Sequence, residues 1–239
     1  MMLSAISANV ILPTYDDVVS KAGALRLAVQ EFVTDPTAQT LEVGRQRWRE
    51  ARLPWKEAEA FAFGPVTAQR LGVAIDQSPV DAAHIEMEIA GTADLTAAYV
   101  EALGANRKGF HAIEHLLFGS TEDVDAQAAL RRRTFLLLLA ENLEGKAIDI
   151  RAAWTPGMGG YATRFAQPGA DGAFATVKAA IDTVVNETVF LSELIADAKI
   201  GKPLGRTTGG APQPATAESV PSDNAISDMA GNVRGIRNL

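Results

Sequence analysis

The chain of 239 residues carries apolar side chains at spacings of three and four along most of its length. That spacing places them on one face of a helix, whereas a strand would need alternation with a period of two, which is almost absent. The pattern therefore predicts an all-α protein. Long helices joined by short turns favour packing as helical bundles.

Capping residues, glycines and prolines divide this pattern into segments. Thr14 is expected to cap the first long helix, and Pro54 is expected to kink or break the second. The predicted helical segments have the approximate bounds 14–33, 37–55, 79–91, 94–104, 109–119, 123–154, 173–200 and 223–237.

Two stretches rich in Gly and Pro interrupt the helical pattern. Residues 155–172, TPGMGGYATRFAQPGADG, are expected to form an exposed loop. Residues 201–222 are expected to form a linker or a wrapped loop. The predicted organisation is a helical domain of residues 1–200, this linker, and a C-terminal helix over residues 223–239.

Composition and charge narrow the classes of function. Hydrophobic residues make up 47% of the chain, which is enough for one or two buried cores. The net charge of −7, from 22 Lys and Arg against 29 Asp and Glu, argues against a nucleic-acid partner held through its phosphates. The absence of cysteine excludes disulfides, thiolate metal sites and cysteine nucleophiles.

Neither a membrane span nor a signal peptide is predicted. The longest strongly apolar run, residues 135–140, is far shorter than the roughly 20 residues needed to cross a bilayer. The N-terminus lacks the basic start and apolar core of a secretory signal. We therefore expect no transmembrane segment in a chain that is either cytoplasmic or has had its signal removed.

The stretch GFHAIEHLLFG, residues 109–119, holds the most informative chemistry. It contains two of the three histidines in the chain and a glutamate within five positions. Helical spacings of three and four bring such side chains together, so His111, Glu114 and His115 could converge on one point. Imidazole and carboxylate ligands together favour zinc or iron.

The same residues allow two other interpretations. The pattern His-x-x-Glu-His is that of inverted zinc peptidases, in which both imidazoles bind zinc and the glutamate activates water. Alternatively, Glu114 only forms a salt bridge with Arg107 or with a histidine on a polar helix face. His84, outside this stretch, is expected to be a surface or capping histidine.

A second cluster lies in RWREARLPWKEAEAFAFGPV, residues 47–66. Trp48 is expected to be an aromatic anchor of the core. Arg52 follows four residues later on the same helix face, where its guanidinium could hold a carboxylate or a bound anion.

Together these motifs resemble the imelysin family. The resemblance rests on Gly109-x-His111-x-x-Glu114 followed by LLFG, on Trp48, Arg52 and the FGPV turn, and on GKPLG at residues 201–205. It extends over nearly the whole chain. The segment SDNAISDMAGNVRGIRNL resembles one after which typical members continue into a further bundle portion, so the C-terminal helix either starts that portion or ends a shortened chain.

The resemblance implies an all-helical fold of one or two bundle-like subdomains and a place in the bacterial periplasm or on the outer cell surface. It also implies a link to iron uptake, and the family is classed among metallopeptidases by its His-x-x-Glu motif. Carried over, that motif falls on His111 and Glu114. Trp48, Arg52 and Asp76 match family positions and are expected to support the site, whereas His115 is a ligand candidate from this sequence alone.

We therefore expect a metal-associated binding protein of bacterial iron acquisition, with iron or zinc held by His111, Glu114 and His115. Its partners would be a metal ion or a metal-loaded ligand and other iron-uptake components. Two alternatives stay open: a zinc metallopeptidase with Glu114 as general base, and a helical scaffold whose histidines are structural.

Overall fold

The computed structural model describes residues 2–119, 126–155, 160–207 and 209–239. Those residues form helices and turns without a strand, which confirms the all-α prediction. None of these helices is long and apolar enough to cross a membrane. In chain order the α-helices are α1 Met2–Ile6, α2 Leu12–Thr34, α3 Ala38–Ala58, α4 Pro65–Ala68, α5 Leu71–Ile75, α6 Ala82–Ala90, α7 Ala97–Ala102, α8 Gly109–Phe118, α9 Ala126–Trp154, α10 Tyr161–Ala166, α11 Val177–Glu193 and α12 Ala225–Asn238.

The start of the first long helix differs from the prediction. The chain is already helical from Met2 and passes through a π-helical turn, Ser7–Ile11, into α2. Thr14 lies inside that run, and its hydroxyl donates to the carbonyl of Val10 at 2.8 Å. The capping role predicted for Thr14 is wrong, because a threonine hydroxyl can also bond back to the carbonyl four residues earlier.

The structure narrows one further local prediction and corrects another. Pro54 does not break α3, which continues to Ala58. In the stretch predicted to be an exposed loop, residues 161–166 form α10, and Phe165 there is fully buried. Residues 156–159 of that stretch and residues 123–125 of the predicted helix over residues 123–154 lie outside the described part of the chain.

The chain forms two compact units, each assembled from separated segments. Unit 1 consists of Met1–Val18, Arg52–Leu71 and Asp149–Leu239, and unit 2 of Val19–Ala51 and Gly72–Ile148. The predicted domain of residues 1–200 follows chain order, whereas these units group segments that pack together. The predicted C-terminal helix is present as α12.

Unit 1 has an aromatic core. The ring of Trp154 lies 4.9 Å from Tyr161, 5.6 Å from Phe63 and 6.0 Å from Tyr15, between ring centroids. Tyr15 in turn packs edge-on against Phe61 at 5.4 Å. Such offset and edge-to-face pairs add to the burial of their large apolar surfaces.

Unit 2 has a largely aliphatic core supplemented by Trp48, Phe110 and Phe135. Its other fully or almost fully buried residues include Leu25, Val29, Ile75, Ile85, Ile113, Leu117 and Leu139. Helix α8 contributes to this core from most of its length, and this burial sets the environment of the histidine motif.

Candidate metal centre

Helix α8 is buried on both of its faces. Its residues from Gly109 to Glu114, together with Leu116 and Leu117, are buried, and the exposed fraction is 5% for His111 and 1% for Glu114. An imidazole and a carboxylate of an ordinary polar helix face would lie in water. Here both have lost their hydration and need partners inside the protein.

Gly109 explains how a second carboxylate reaches this helix. Its φ is +75°, and a Cβ at this position would lie 2.2 Å from the carbonyl oxygen of Ile75. The start of α8 therefore packs directly against the end of α5, backbone to backbone. Only glycine permits both that φ and that approach, and the residue after Ile75 is Asp76.

His111 lies between two buried carboxylates. Its Nδ1 is 2.9 Å from Oε2 of Glu114, and its Nε2 is 3.2 Å from Oδ1 of Asp76. The side chains of the three residues are at most 6% exposed. The structure thus brings together the predicted ligand pair, His111 and Glu114, with the predicted supporting residue Asp76.

This arrangement has an electrostatic consequence. A neutral imidazole donates from one ring nitrogen only, and an ionised carboxylate only accepts. If Nδ1 donates to Glu114, the lone pair of Nε2 faces an oxygen of Asp76. That contact is favourable only if a proton, on either atom, or a metal ion lies between the two atoms.

Trp48 holds the beginning of α8 from helix α3. Its Nε1 donates to the carbonyl of Phe110 at 2.9 Å, and its ring packs edge-on against Phe110 and Phe118. Arg45, on the same face of α3, donates to the carbonyl of Leu117 at 2.7 Å. The predicted aromatic anchor is confirmed, and it contacts the residue next to His111.

His115 has a different environment from His111. Its Nε2 is 2.7 Å from Oε1 of Glu86, and Arg132 holds both oxygens of that carboxylate at 2.8 and 2.9 Å. Desolvation alone would raise the pKa of Glu86, but the hydrogen bonds from Arg132 and His115 lower it overall. Within the described ranges, no group of three or more ligand-type side chains includes His115.

Two other predictions about charged residues can be compared with the structure. Arg107 pairs with Glu88 at 2.7 Å, and Glu114 forms a salt bridge with His111 at 2.9 Å. His84 is a surface residue whose Nδ1 lies 2.7 Å from the helix-capping Asp81, and its amide donates to that carboxylate. The prediction that His84 is a surface or capping histidine is confirmed in its first form, because His84 lies at the surface and Asp81 is the helix cap.

Arg52 is fully buried in unit 1 and binds two carboxylates there. Its Nε donates to Asp228 at 3.0 Å and its Nη2 to Glu218 at 2.6 Å. The prediction that this guanidinium holds a carboxylate is confirmed. The further idea that Arg52 steadies Glu114 stays a prediction.

Arg52 belongs to a larger buried network that the sequence did not reveal. Lys56 contacts Glu59 and Glu218, and Lys199 contacts Glu59, Glu218 and Asn232. Three cations thus face three carboxylates, counting Arg52 and Asp228. Removing one partner of such a set would leave an uncompensated buried charge.

Comparisons with known proteins agree with this architecture. The family model for imelysin matches residues 11–239. Iron-regulated protein A of Synechococcus elongatus is 34% identical over 234 residues, which cover 97% of this chain and 61% of that protein. The chain therefore spans less than two thirds of the length of this relative.

Two crystal structures are similar in fold. An iron-regulated protein A precursor from Parabacteroides distasonis has a TM-score of 0.79 at 25% identity, over 99% of this chain and 71% of the other. An imelysin-like protein from Psychrobacter arcticum has a TM-score of 0.80 at 17% identity, over 98% and 71%. Because the imelysin family model matches nearly the whole chain, the chain belongs to the imelysin family.

Proposed function

We propose that this chain is a metal-binding protein of bacterial iron acquisition, with the ion held at His111. The observation that carries the proposal is the position of His111 between the buried carboxylates of Glu114 and Asp76. The name of the Synechococcus relative, iron-regulated protein A, supports the link to iron.

The donor set fits iron or zinc. Imidazole nitrogen and carboxylate oxygen are ligands that both metals accept. Ligand atoms about 2.0–2.2 Å from one ion, at an angle between square and tetrahedral, lie roughly 3 Å apart. The 3.2 Å between Nε2 of His111 and Oδ1 of Asp76 agrees with that separation.

Glu114 is assigned the role of orienting His111. Metal-binding histidines commonly donate their second ring N–H to a carboxylate, which fixes the tautomer and the ring orientation. Oε2 of Glu114 lies 2.9 Å from Nδ1 of His111, where it can accept that N–H, and the Glu114 side chain is only 2% exposed. A general base of a peptidase would instead need room for water and substrate beside its carboxylate.

The setting of the protein is part of the proposal. We place it in the bacterial periplasm or on the outer cell surface, together with other iron-uptake components, as the family membership favours. The bound species is a metal ion or a metal-loaded ligand. Coordination positions that the protein does not fill would be taken by water or by groups of that ligand.

Calorimetric titration of the purified, metal-free chain with Zn²⁺ and, under anaerobic conditions, Fe²⁺ tests the proposal. His111→Ala and Asp76→Asn should abolish binding. Glu114→Gln keeps the shape of the side chain and should weaken binding by about 10- to 100-fold. His84→Ala is the matched histidine control and should bind like wild type. Acid should release the ion, because the imidazole must lose its proton to coordinate.

The outcomes separate the competing functions. Equal metal uptake by wild type and His111→Ala would place the site elsewhere and support a structural role for the histidines. Loss of binding in His115→Ala would make His115 a ligand, as the sequence predicts. Metal-dependent peptide hydrolysis that Glu114→Gln abolishes without releasing the metal would favour the peptidase alternative.

A further inference from the structure

Unit 2 contains a small cavity separate from His111. Its volume is about 280 Å³, and its apolar wall includes Phe32, Leu41, Leu116 and Leu136. Small-molecule sites usually have volumes of roughly 300–1,000 Å³ and mostly apolar linings with a few polar groups. The cavity lies just below this range, which suits a compact ligand.

Two arginines, Arg132 and Arg133, supply the charged groups of this cavity, and no acidic side chain of the described residues lines it. Arg132 is 8% exposed and uses its Nη1 to hold Glu86. The Nε atoms of Arg132 and Arg133 are buried without a hydrogen-bond partner in the part of the chain that the structure describes. Buried donors without acceptors are costly, so the two guanidinium groups that line the cavity favour a nearby acceptor.

The charge balance of the cavity indicates a ligand with a single negative charge. The charge of Arg132 is already matched by Glu86 at 2.8 Å. Arg133 forms no ion pair with any described residue, so its positive charge is unmatched within the part of the chain that the structure describes. Thr37 and Ala38, at the start of the 21-residue helix α3, also line the cavity and add the positive end of a helix dipole.

We propose that this cavity binds a small monocarboxylate with an apolar body, such as a medium-chain acyl carboxylate. Its carboxylate accepts hydrogen bonds from the guanidinium groups of Arg133 and Arg132. Its apolar body lies against Phe32, Leu41, Leu116 and Leu136. This site is independent of the metal centre proposed at His111.

Calorimetric titration of the full chain with octanoate tests this site, with octan-1-ol and acetate as comparison ligands. Octanoate should bind wild type, octan-1-ol should bind much more weakly because it lacks the charge, and acetate should not bind measurably because it lacks the apolar body. Arg133→Gln should weaken octanoate binding by about tenfold or more, since a hydrogen bond to a charged group is lost.

A pair of tryptophan substitutions locates the site. Ala38→Trp places an indole in the cavity and should abolish octanoate binding, whereas Gln39→Trp, at an exposed neighbour that does not line the cavity, should bind like wild type. His111→Ala should also bind octanoate normally. Unchanged helical circular dichroism shows that each variant is folded.

Several results would overturn the proposal. These are no binding of octanoate to wild type, equal binding of octanoate and octan-1-ol, and undiminished binding by either Arg133→Gln or Ala38→Trp. None of them bears on metal binding at His111, which is measured separately with Zn²⁺ and Fe²⁺.

Discussion

Gly109 connects the sequence motif to the geometry of the site at the scale of single residues. Its missing side chain lets the carbonyl of Ile75 approach, and this approach positions Asp76 beside Nε2 of His111. One absent methyl group thus determines whether the histidine meets one carboxylate or two.

Replacing this glycine should therefore damage both the fold and the site. Gly109→Ala forces alanine into a φ of +75°, which costs about 1–3 kcal/mol, and places its Cβ against the Ile75 carbonyl. We expect a lower midpoint of urea unfolding, followed by helical circular dichroism, and weaker metal binding, because Asp76 is displaced from His111.

Gly145→Ala is the control for this substitution. Gly145 lies within α9, and a Cβ there would meet no atom within 4 Å. Alanine at such a helix position should stabilise the fold by about 0.5–1 kcal/mol. A Gly109→Ala protein that unfolds like wild type and binds metal normally would contradict the role given to Gly109.

The two halves of the site differ in how far the sequence predicts them. The pairing of His111 with Glu114 follows from their spacing of three on a helix. Asp76 lies 35 residues earlier in the chain, and no local pattern relates it to His111; only the resemblance to the family suggested it. The partners of Arg52 were missed because Glu218 and Asp228 are 166 and 176 residues away.

At the scale of elements, the site depends on how α3 holds α8. Arg45 and Trp48 of α3 donate to backbone carbonyls near the two ends of α8, at Leu117 and Phe110. The bond from Trp48 is buried, and the bond from Arg45 is partly buried. We infer that α3 sets the position of the whole histidine helix.

Trp48→Phe tests this contact. The substitution keeps an aromatic ring but removes the N–H that donates to Phe110, and it leaves a small cavity. The free energy of unfolding should fall by about 1–3 kcal/mol, and hydrogen exchange of the amides in α8 should accelerate more than in α11.

Arg47→Gln is the comparison on the same helix. Arg47 is 44% exposed and pairs with Glu50 on the surface, so its loss should change stability by less than about 1 kcal/mol. Equal effects of the two substitutions on the exchange of α8 would show that Trp48 does not hold that helix.

The helices themselves were predictable because their apolar spacing is regular. In α9, Phe135, Leu139, Leu143, Ala147 and Ile150 are buried at spacings of four and three, as the pattern required. The wrong predictions of local structure concern residue types that are common in more than one backbone conformation. Thr14 bonds back within a helix instead of capping one, and the Gly and Pro around residues 161–166 hid a short helix with a buried aromatic side.

At the scale of the whole molecule, segments that are distant along the chain belong to the same compact unit. Unit 1 combines residues 1–18, 52–71 and 149–239, and the network of Arg52, Lys56 and Lys199 joins the second of these segments to the third. Such pairings depend on which segments pack together. Periodicity, capping signals and composition describe only neighbours along the chain, so they could predict the elements of each unit but not its membership.

The acidity of the chain leads to a prediction for its stability at low pH. In unit 2, hydrogen bonds from Arg47 and Lys146 lower the pKa of Glu50 and Glu101, and those from Arg132 and His115 outweigh desolvation in lowering that of Glu86. Each of these carboxyls has an ordinary value of 4.5.

A carboxyl whose pKa is lower in the folded state stabilises that state above its unfolded value. The contribution is lost as the pH falls from 4.5 through the lower folded value. We therefore expect the thermal unfolding midpoint, followed by circular dichroism, to fall steeply with acidification below pH 4.5. Glu86→Gln should make this decline shallower, because one of the linked carboxyls is gone.

Glu187→Gln is the control: burial raises the pKa of Glu187, so its removal should raise the midpoint near neutral pH and leave the acid decline as steep. A midpoint that stays level below pH 4.5, or a decline that Glu86→Gln does not alter, would show that these ion pairs contribute nothing measurable to the folded state.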